Sequence, residues 1–190
     1  MMTRWLDANK RAERDGDWAT HLGAHYTDDA LYRWNVGPNE EFFARGIDEI
    51  KDVALGYQMK GFEQFVYPYD TVLIDDQQGE IVGFWRQVAP FKRADGTSFE
   101  VAGVGGSWFR YAGDYKWSWQ RDFFDFANVK SMFFELAGAG HLNETIRKKI
   151  HQQAKGGAQL LPGHEKLRAE PTRMEKLKNF AAMAKIALRG

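Results

Sequence analysis

An α+β fold is the class this 190-residue sequence predicts: a cone-shaped, curved antiparallel sheet packed on N-terminal helices, with an extra helical extension at the C-terminus. Three observations predict it. Helical spacing of apolar residues dominates the first sixty positions, with one short strand among them. From Phe65 the spacing changes to two, the period of a half-buried strand. Near Gly138-Ala139-Gly140 both aromatic content and charge change character. Runs of helices followed by runs of strands indicate segregated α and β elements, not βαβ units.

Taken in order, residues 3–14 carry charges at helical spacing and stop at Asp15-Gly16. Asp15 or Asp17 can cap a second helix, in which Trp18, Leu22 and Tyr26 recur every four residues. Asp28-Asp29 ends it, and Ala30–Val36 reads as a short strand. Gly37-Pro38-Asn39 breaks that strand, and a third helix is predicted over 47–59. Strands follow at Thr71–Ile74, Ile81–Phe91, Phe99–Tyr111 and Tyr115–Phe126, separated by Gly- and Asp-containing turns. Gly103, Gly105 and Gly106 mark a bulge or sharp curvature. Helices over 128–137, 142–154 and 172–188 complete the chain. A strongly curved sheet needs one side filled, and three helices on its concave side leave an apolar cone with an open mouth.

The composition divides the chain into a 1–140 cone domain and a 141–190 basic helical extension. Of 7 Trp, 7 Tyr and 14 Phe, only Phe180 lies beyond residue 140. The extension holds 11 Lys/Arg against 4 Glu, a net +7, which leaves the body at −7. Such an arm either docks on an acidic body or neighbouring subunit, or is a solvated helical tail. It lacks the interleaved aromatics of a single-stranded nucleic-acid grip.

Several classes are excluded. Without cysteine there is no disulfide scaffold, thiolate nucleophile or zinc finger. Zero formal net charge argues against nucleic acid as a partner. No apolar run approaches the roughly 18 residues of a membrane span. The start has no apolar h-region, so a cytoplasmic protein without signal peptide is expected. Gly103-Val104-Gly105-Gly106 lacks the lysine and hydroxyl of a phosphate loop and precedes no helix, so no nucleotide or other cofactor is expected.

Strand alternation nominates the site. Gln120, Asp122 and Phe124 share a face of the last strand; Phe84, Arg86 and Val88 share one on the 81–91 strand; Tyr32 and Trp34 share one on the early strand. Asp122 is the first catalytic candidate, because a carboxylate among Trp and Phe loses hydration and its pKa rises toward a useful acid or base. Arg86 would hold Asp122 ionised or stabilise an oxyanion, and Tyr32 would relay a proton. Trp34, Phe84, Trp108, Phe124, Val88, His25 and Gln120 would line the substrate pocket, the aromatic rings stacking on a bulky aromatic substrate. The competing reading makes Arg86–Asp122 a structural ion pair bracing two strands. His21 and His25 stand four apart as helical zinc ligands do, but the third ligand and the glutamate are absent, so no metal is expected.

The stretch GDWATHLGAHYTDDALYRW, a glycine opening the third helix, and long strands ending in QRDFFDF resemble the nuclear transport factor 2-like superfamily, most closely its SnoaL-like branch. The similarity covers about residues 3–136. It implies an α+β cone enclosing a hydrophobic pocket, often dimeric through the outer sheet face. Gln120–Asp125 resembles the sheet-closing motif of limonene epoxide hydrolases, which puts Asp122, Arg86 and Tyr32 at catalytic positions. Their second catalytic aspartate falls on Val88 and their water-binding asparagine on Trp34, so that relay is broken. The ketosteroid isomerase base also falls on Trp34. Scytalone dehydratases need a histidine pair on the sheet, and no histidine lies between His25 and His141. The resemblance therefore implies a cofactor-independent lyase. C–C cleavage, such as formaldehyde release from a lignin-derived diarylpropane, or dehydration would be its reaction. Isomerase, cyclase or epoxide hydrolase of the same fold, or a non-catalytic hydrophobic-ligand binder or scaffold, are the alternatives. A homodimer or higher homo-oligomer is the expected assembly.

Overall fold

The computed structural model describes residues 1–189 apart from 38, 102 and 155–160. Helix α1 (Met2–Asp15) buries Trp5, Ala8 and Ala12 on one face and stops at Gly16, whose φ of +67° is the left-handed cap glycine tolerates. Asp17 caps α2 (Trp18–Leu22) by accepting from the Thr20 amide at 3.0 Å. A single 3₁₀ turn (Gly23–His25) follows, so Tyr26 starts the first strand and does not continue the helix. Its predicted place on the apolar face survives, because it is buried either way.

Strand β1 (Tyr26–Gly37) returns as β2 (Glu40–Arg45), a strand the sequence pattern does not announce. Glu41 hides it: this carboxylate is buried between Arg33 and Arg121, both of which it pairs with on the outer face of the sheet. The predicted 47–59 helix is one α turn, α3 (Gly46–Glu49), followed by a π-helix (Ile50–Tyr57). The wider coil shows in the Gln58 amide donating to the Val53 carbonyl at 2.8 Å. It also explains Gly56, where a Cβ would come within 2.8 Å of the Lys51 carbonyl oxygen.

Next come β3 (Tyr69–Asp75) and β4 (Glu80–Trp85), then β5 (Val88–Lys92) and β6 (Ser98–Glu100). Two nine-residue strands, β7 (Gly105–Gly113) and β8 (Lys116–Phe124), close the run. The predicted 81–91 and 99–111 strands are thus each broken in two. Their outer halves, β5 and β6, leave the main sheet and pair with one another. Helices α4 (Phe126–Gly138), α5 (Glu144–Ala154) and α6 (Arg173–Arg189) follow, with a short strand β9 (His164–Lys166) between the last two.

The main sheet runs β3-β4-β7-β8-β1-β2-β9 and is antiparallel except at its centre, where β8 lies parallel to β1. The sheet does not close on itself. One apolar core fills the space between its concave face and α1, α2 and the π-helix. A second joins Phe65, Ala89 and Phe99 to Val129, Met132 and Leu136 of α4. Leu142 and Ile146 are buried in that second core, and β9 extends the sheet beside β2. By contrast, Met174, Leu177, Phe180 and Met183 of α6 are exposed. No described helix is long and apolar enough to cross a membrane.

Candidate functional site

The parallel pairing at the sheet centre places Tyr32 beside Gln120 and Trp34 beside Asp122, and β7 sets Ser107 against Asp122 from the other side. Residues paired in register point to the same face, so Tyr32, Ser107, Gln120 and Asp122 all turn inward. The four are 2–8% exposed, which puts an ionisable carboxyl inside an apolar layer.

Every near donor aims at that carboxyl. The Tyr32 hydroxyl donates to Oδ2 at 2.5 Å, and Ser107 Oγ and Gln120 Nε2 donate to Oδ1 at 2.6 and 2.8 Å. Behind them, the Trp85 indole N–H donates to Ser107 Oγ at 2.8 Å, and the Tyr26 hydroxyl donates to Gln120 Oε1. No lysine, arginine or histidine among the described residues pairs with Asp122. Burial pushes its pKa above the ordinary aspartate value; the bonds from Gln120, Ser107 and Tyr32 oppose that rise without cancelling it. Tyr26 and Tyr32 are pushed well above the usual phenol value, first by burial and then by the neighbouring carboxylate.

The carboxyl borders a cavity of about 80 Å³. Trp5, Trp18, Tyr67, Tyr69 and Trp85 supply aromatic walls, and Ala54, Leu55 and Met59 form the side contributed by the π-helix and the turn after it. Gly83 makes room for one wall, because a Cβ there would meet the Tyr69 ring at 2.4 Å. Rings and aliphatic chains predominate, and the Asp122 network with the Tyr and Asn9 side chains supplies the polarity. An arrangement of this kind can take up, hold and return a proton in a water-poor space.

Of the residues nominated from sequence, Asp122, Tyr32 and Gln120 meet here. Arg86 does not. The chain leaves the sheet after Trp85, and the exposed guanidinium pairs with Asp70 at 3.0 Å and Glu100 at 2.9 Å. Neither the oxyanion-stabilising role nor the bracing Arg86–Asp122 pair exists in this structure. Phe84 turns outward against Phe123, and Trp108 turns outward against Trp119 while its N–H donates to Glu80. Val88 lies on β5, bonded to Val66, away from the cavity. Trp34 and Phe124 face inward but stand beyond the cavity: Trp34 stacks on Phe42, and Phe124 packs against the second core. His25 sets its ring edge-on to Trp5, with Nδ1 3.4 Å from the Tyr115 carbonyl oxygen. His21 pairs with Asp15 at 2.8 Å, so the two histidines do not converge. Among the described residues no group of three His, Asp or Glu side chains could hold a metal.

The sequence reading missed Ser107, Trp85, Tyr26 and Tyr69. Alternation on β7 would have found Ser107, two residues before the buried Phe109. Trp85 needed knowledge of where the strand breaks.

No family model matches the chain, and no curated protein matches it significantly. Solved structures do resemble it. A phenazine biosynthesis-related protein from Pseudomonas aeruginosa is 12% identical with a TM-score of 0.50, over 67% of this chain and 90% of that one. A proposed SnoaL-like polyketide cyclase from Jannaschia sp. CCS1 is 16% identical with a TM-score of 0.49, over 68% and 91%. A protein of ketosteroid isomerase-like fold from Catenulispora acidiphila, in complex with trimethylamine, is 16% identical with a TM-score of 0.48, over 69% and 89%. The likeness to the Pseudomonas protein shows a shared fold, in keeping with the mixed α+β architecture and its large curved sheet. At these identities the likeness speaks to architecture and not to reaction.

Proposed function

We propose that this protein is a cofactor-independent acid–base enzyme, with Asp122 as the base and Tyr32 as the proton relay, and that it catalyses an elimination from a compact hydroxylated compound. The supporting observation is a desolvated carboxyl on the wall of an aromatic cavity, ringed by neutral donors and, among the described residues, paired with no cation. In a dehydration, Asp122 takes a proton from carbon and the C–H electron pair becomes the new double bond. The departing hydroxyl takes the Tyr32 proton and leaves as water. Asp122 then returns its proton to Tyr32 across their 2.5 Å contact, and the site is reset. Coupling favours this order: burial disfavours ionised Tyr32 throughout, but once Asp122 is neutral the added opposition of its charge is gone. C–C cleavage uses the same parts, with Asp122 taking a hydroxyl proton and Tyr32 protonating the carbon left behind. With Arg86 elsewhere, the developing anion is met by neutral hydroxyl and amide donors.

Cavity size limits the substrate. An apolar void of about 150 Å³ accommodates benzene, whereas this one measures about 80 Å³. A two-ring diarylpropane does not fit the site as it stands, and even a single ring requires its wall to yield. A compact substrate, or the reacting end of a larger one, suits it better. A second reading, supported by the fully bonded carboxyl, makes the network a polar brace in a ligand-binding or scaffold protein. A homodimer, joined through the outer sheet face, belongs to either reading and is tested by sedimentation.

Turnover of single-ring and alicyclic alcohols by the wild type and by Asp122→Asn decides between them. Loss of general-base catalysis lowers the rate by about 10²–10⁴-fold, with binding retained. Turnover of a confirmed substrate that survives the substitution removes Asp122 from the mechanism.

A further inference from the structure

Described residues of the C-terminal segment contact the stretch that adjoins the cavity wall, and the contacts there converge. Lys149, on α5, directs its ammonium at three backbone carbonyls at the end of the π-helix and just after it: Tyr57 at 2.7 Å, Gln58 at 3.0 Å and Lys60 at 2.8 Å. Its charge also lies 4.9 Å from the Tyr57 ring centre. The last carbonyls of a helix have no partners of their own and carry its negative end, so a cation with three donors is well matched to them. Asn143 adds a bond from Nδ2 to the Gly61 carbonyl at 2.7 Å. Gln58 in turn donates to the Pro162 carbonyl at 3.1 Å. Residues 57–61 are thus fastened by the extension from three points.

The same stretch adjoins the site. Ala54 and Leu55 of the π-helix and Met59 just after it line the Asp122 cavity. One wall of the cavity is therefore continuous with the stretch the extension holds. A π-helix makes a poor wall by itself, since its wide coil is rare and metastable in isolation.

We infer that the C-terminal extension is a clamp on the π-helix, with Lys149 as its positioning residue, and that it sets how large a molecule reaches Asp122. The effect on substrate choice rests on the proposed acid–base reading; the clamp itself does not. Glu63 supports the ammonium by attraction and Lys60 opposes it. Lys149 touches neither the substrate nor the reacting atoms and acts only through the wall.

Hydrogen exchange on the full-length chain tests the clamp without any substrate. In Lys149→Met, amides of residues 54–61 exchange at least about tenfold faster while those of β7 and β8 keep their rates, the signature of local opening. Lys149→Arg preserves charge and donors, and it keeps exchange within about threefold of wild type. Phenol, as a single-ring probe read by tryptophan fluorescence, binds Lys149→Met about tenfold more tightly because the wall opens at lower cost. Should Lys149→Met fail to fold, Asn143→Ala is expected to loosen the same stretch. Unchanged exchange at 54–61 in either variant, or an acceleration spread equally over β7 and β8, would overturn the clamp. These outcomes are independent of Asp122: a protein that keeps its turnover in Asp122→Asn loses the proposed reaction and can still show the clamp.

Discussion

Tyr32 donates its hydroxyl to Asp122 Oδ2 at 2.5 Å across the parallel seam between β1 and β8. In an otherwise antiparallel sheet, that seam brings two inward side chains, from residues ninety positions apart, onto the same wall. Both groups are buried, so the ionised form of each is penalised; the Asp122 charge further penalises ionised Tyr32, whereas the neutral Tyr32 hydroxyl, by donating, favours ionised Asp122. The pair can hold one negative charge comfortably and two only at great cost. That coupling lets a single proton pass between them.

The first consequence concerns stability. Asp122 has a folded-state pKa above its unfolded value, so its contribution is fully present below about pH 3.9 and is lost as pH rises through the folded pKa. This is the reverse of a salt-bridged carboxylate. Asp122→Asn keeps an acceptor but turns an amide toward donors that all point inward, at a cost of about 1–3 kcal/mol. Chemical denaturation at acidic and neutral pH is expected to show the wild type's advantage over Asp122→Asn shrinking as pH rises. A growing advantage would contradict the assignment.

Arg86 offers a negative control. Its guanidinium serves Asp70 and Glu100 at the surface, so Arg86→Ala leaves the Asp122 network untouched. Turnover is expected to stay within about threefold of wild type, as for exposed ion pairs remote from the chemistry. A loss comparable to that of Asp122→Asn would show that Arg86 reaches the site during reaction.

Lys149 gives a signature in the alkaline range. Burial lowers its pKa from 10.5 to about 8, against the attraction of Glu63. Between those values the unfolded chain binds more protons than the folded one, so stability contributed by this group rises as pH climbs from 8 toward 10.5. Wild type is therefore expected to gain on Lys149→Met over that interval, as measured by urea midpoints at pH 7.5 and 10. A gap that stays constant over that interval would place the ammonium in solvent, and one that closes would mean its charged form is favoured by folding.

How much of this was legible in the sequence depends on where periodicity held. β8 is regular, so alternation put Gln120 and Asp122 on one inward face, and the β1 pattern did the same for Tyr32. Alternation failed wherever the strand broke. The 81–91 stretch scans as one strand, but the Arg86 amide bonds to the Pro68 carbonyl and the chain departs from the sheet there. The parity that grouped Phe84 with Arg86 therefore chose the outer face, and Trp85 is the inward residue. Trp108 was misassigned for the same reason, since Ser107 and Phe109 are the inward positions on β7. Tyr26 was hidden by helix-like spacing to Trp18 and Leu22, a period of four that a tight turn into a strand also satisfies. The π-helix has no compositional mark beyond Gly56. The fastening of residues 57–61 by Lys149 joins positions about ninety apart, which no local pattern encodes.

The most direct measurement is the titration of the Asp122 carboxyl itself, followed by carbon-detected NMR with Asp122→Asn to assign the signal. A buried, cation-free carboxyl poised for proton transfer titrates above the ordinary aspartate value, and its midpoint shifts when Tyr32 is replaced by Phe. A midpoint at or below that ordinary value, indifferent to Tyr32→Phe, would mean the carboxylate is stabilised by solvent or by a cation, and the acid–base account would fail.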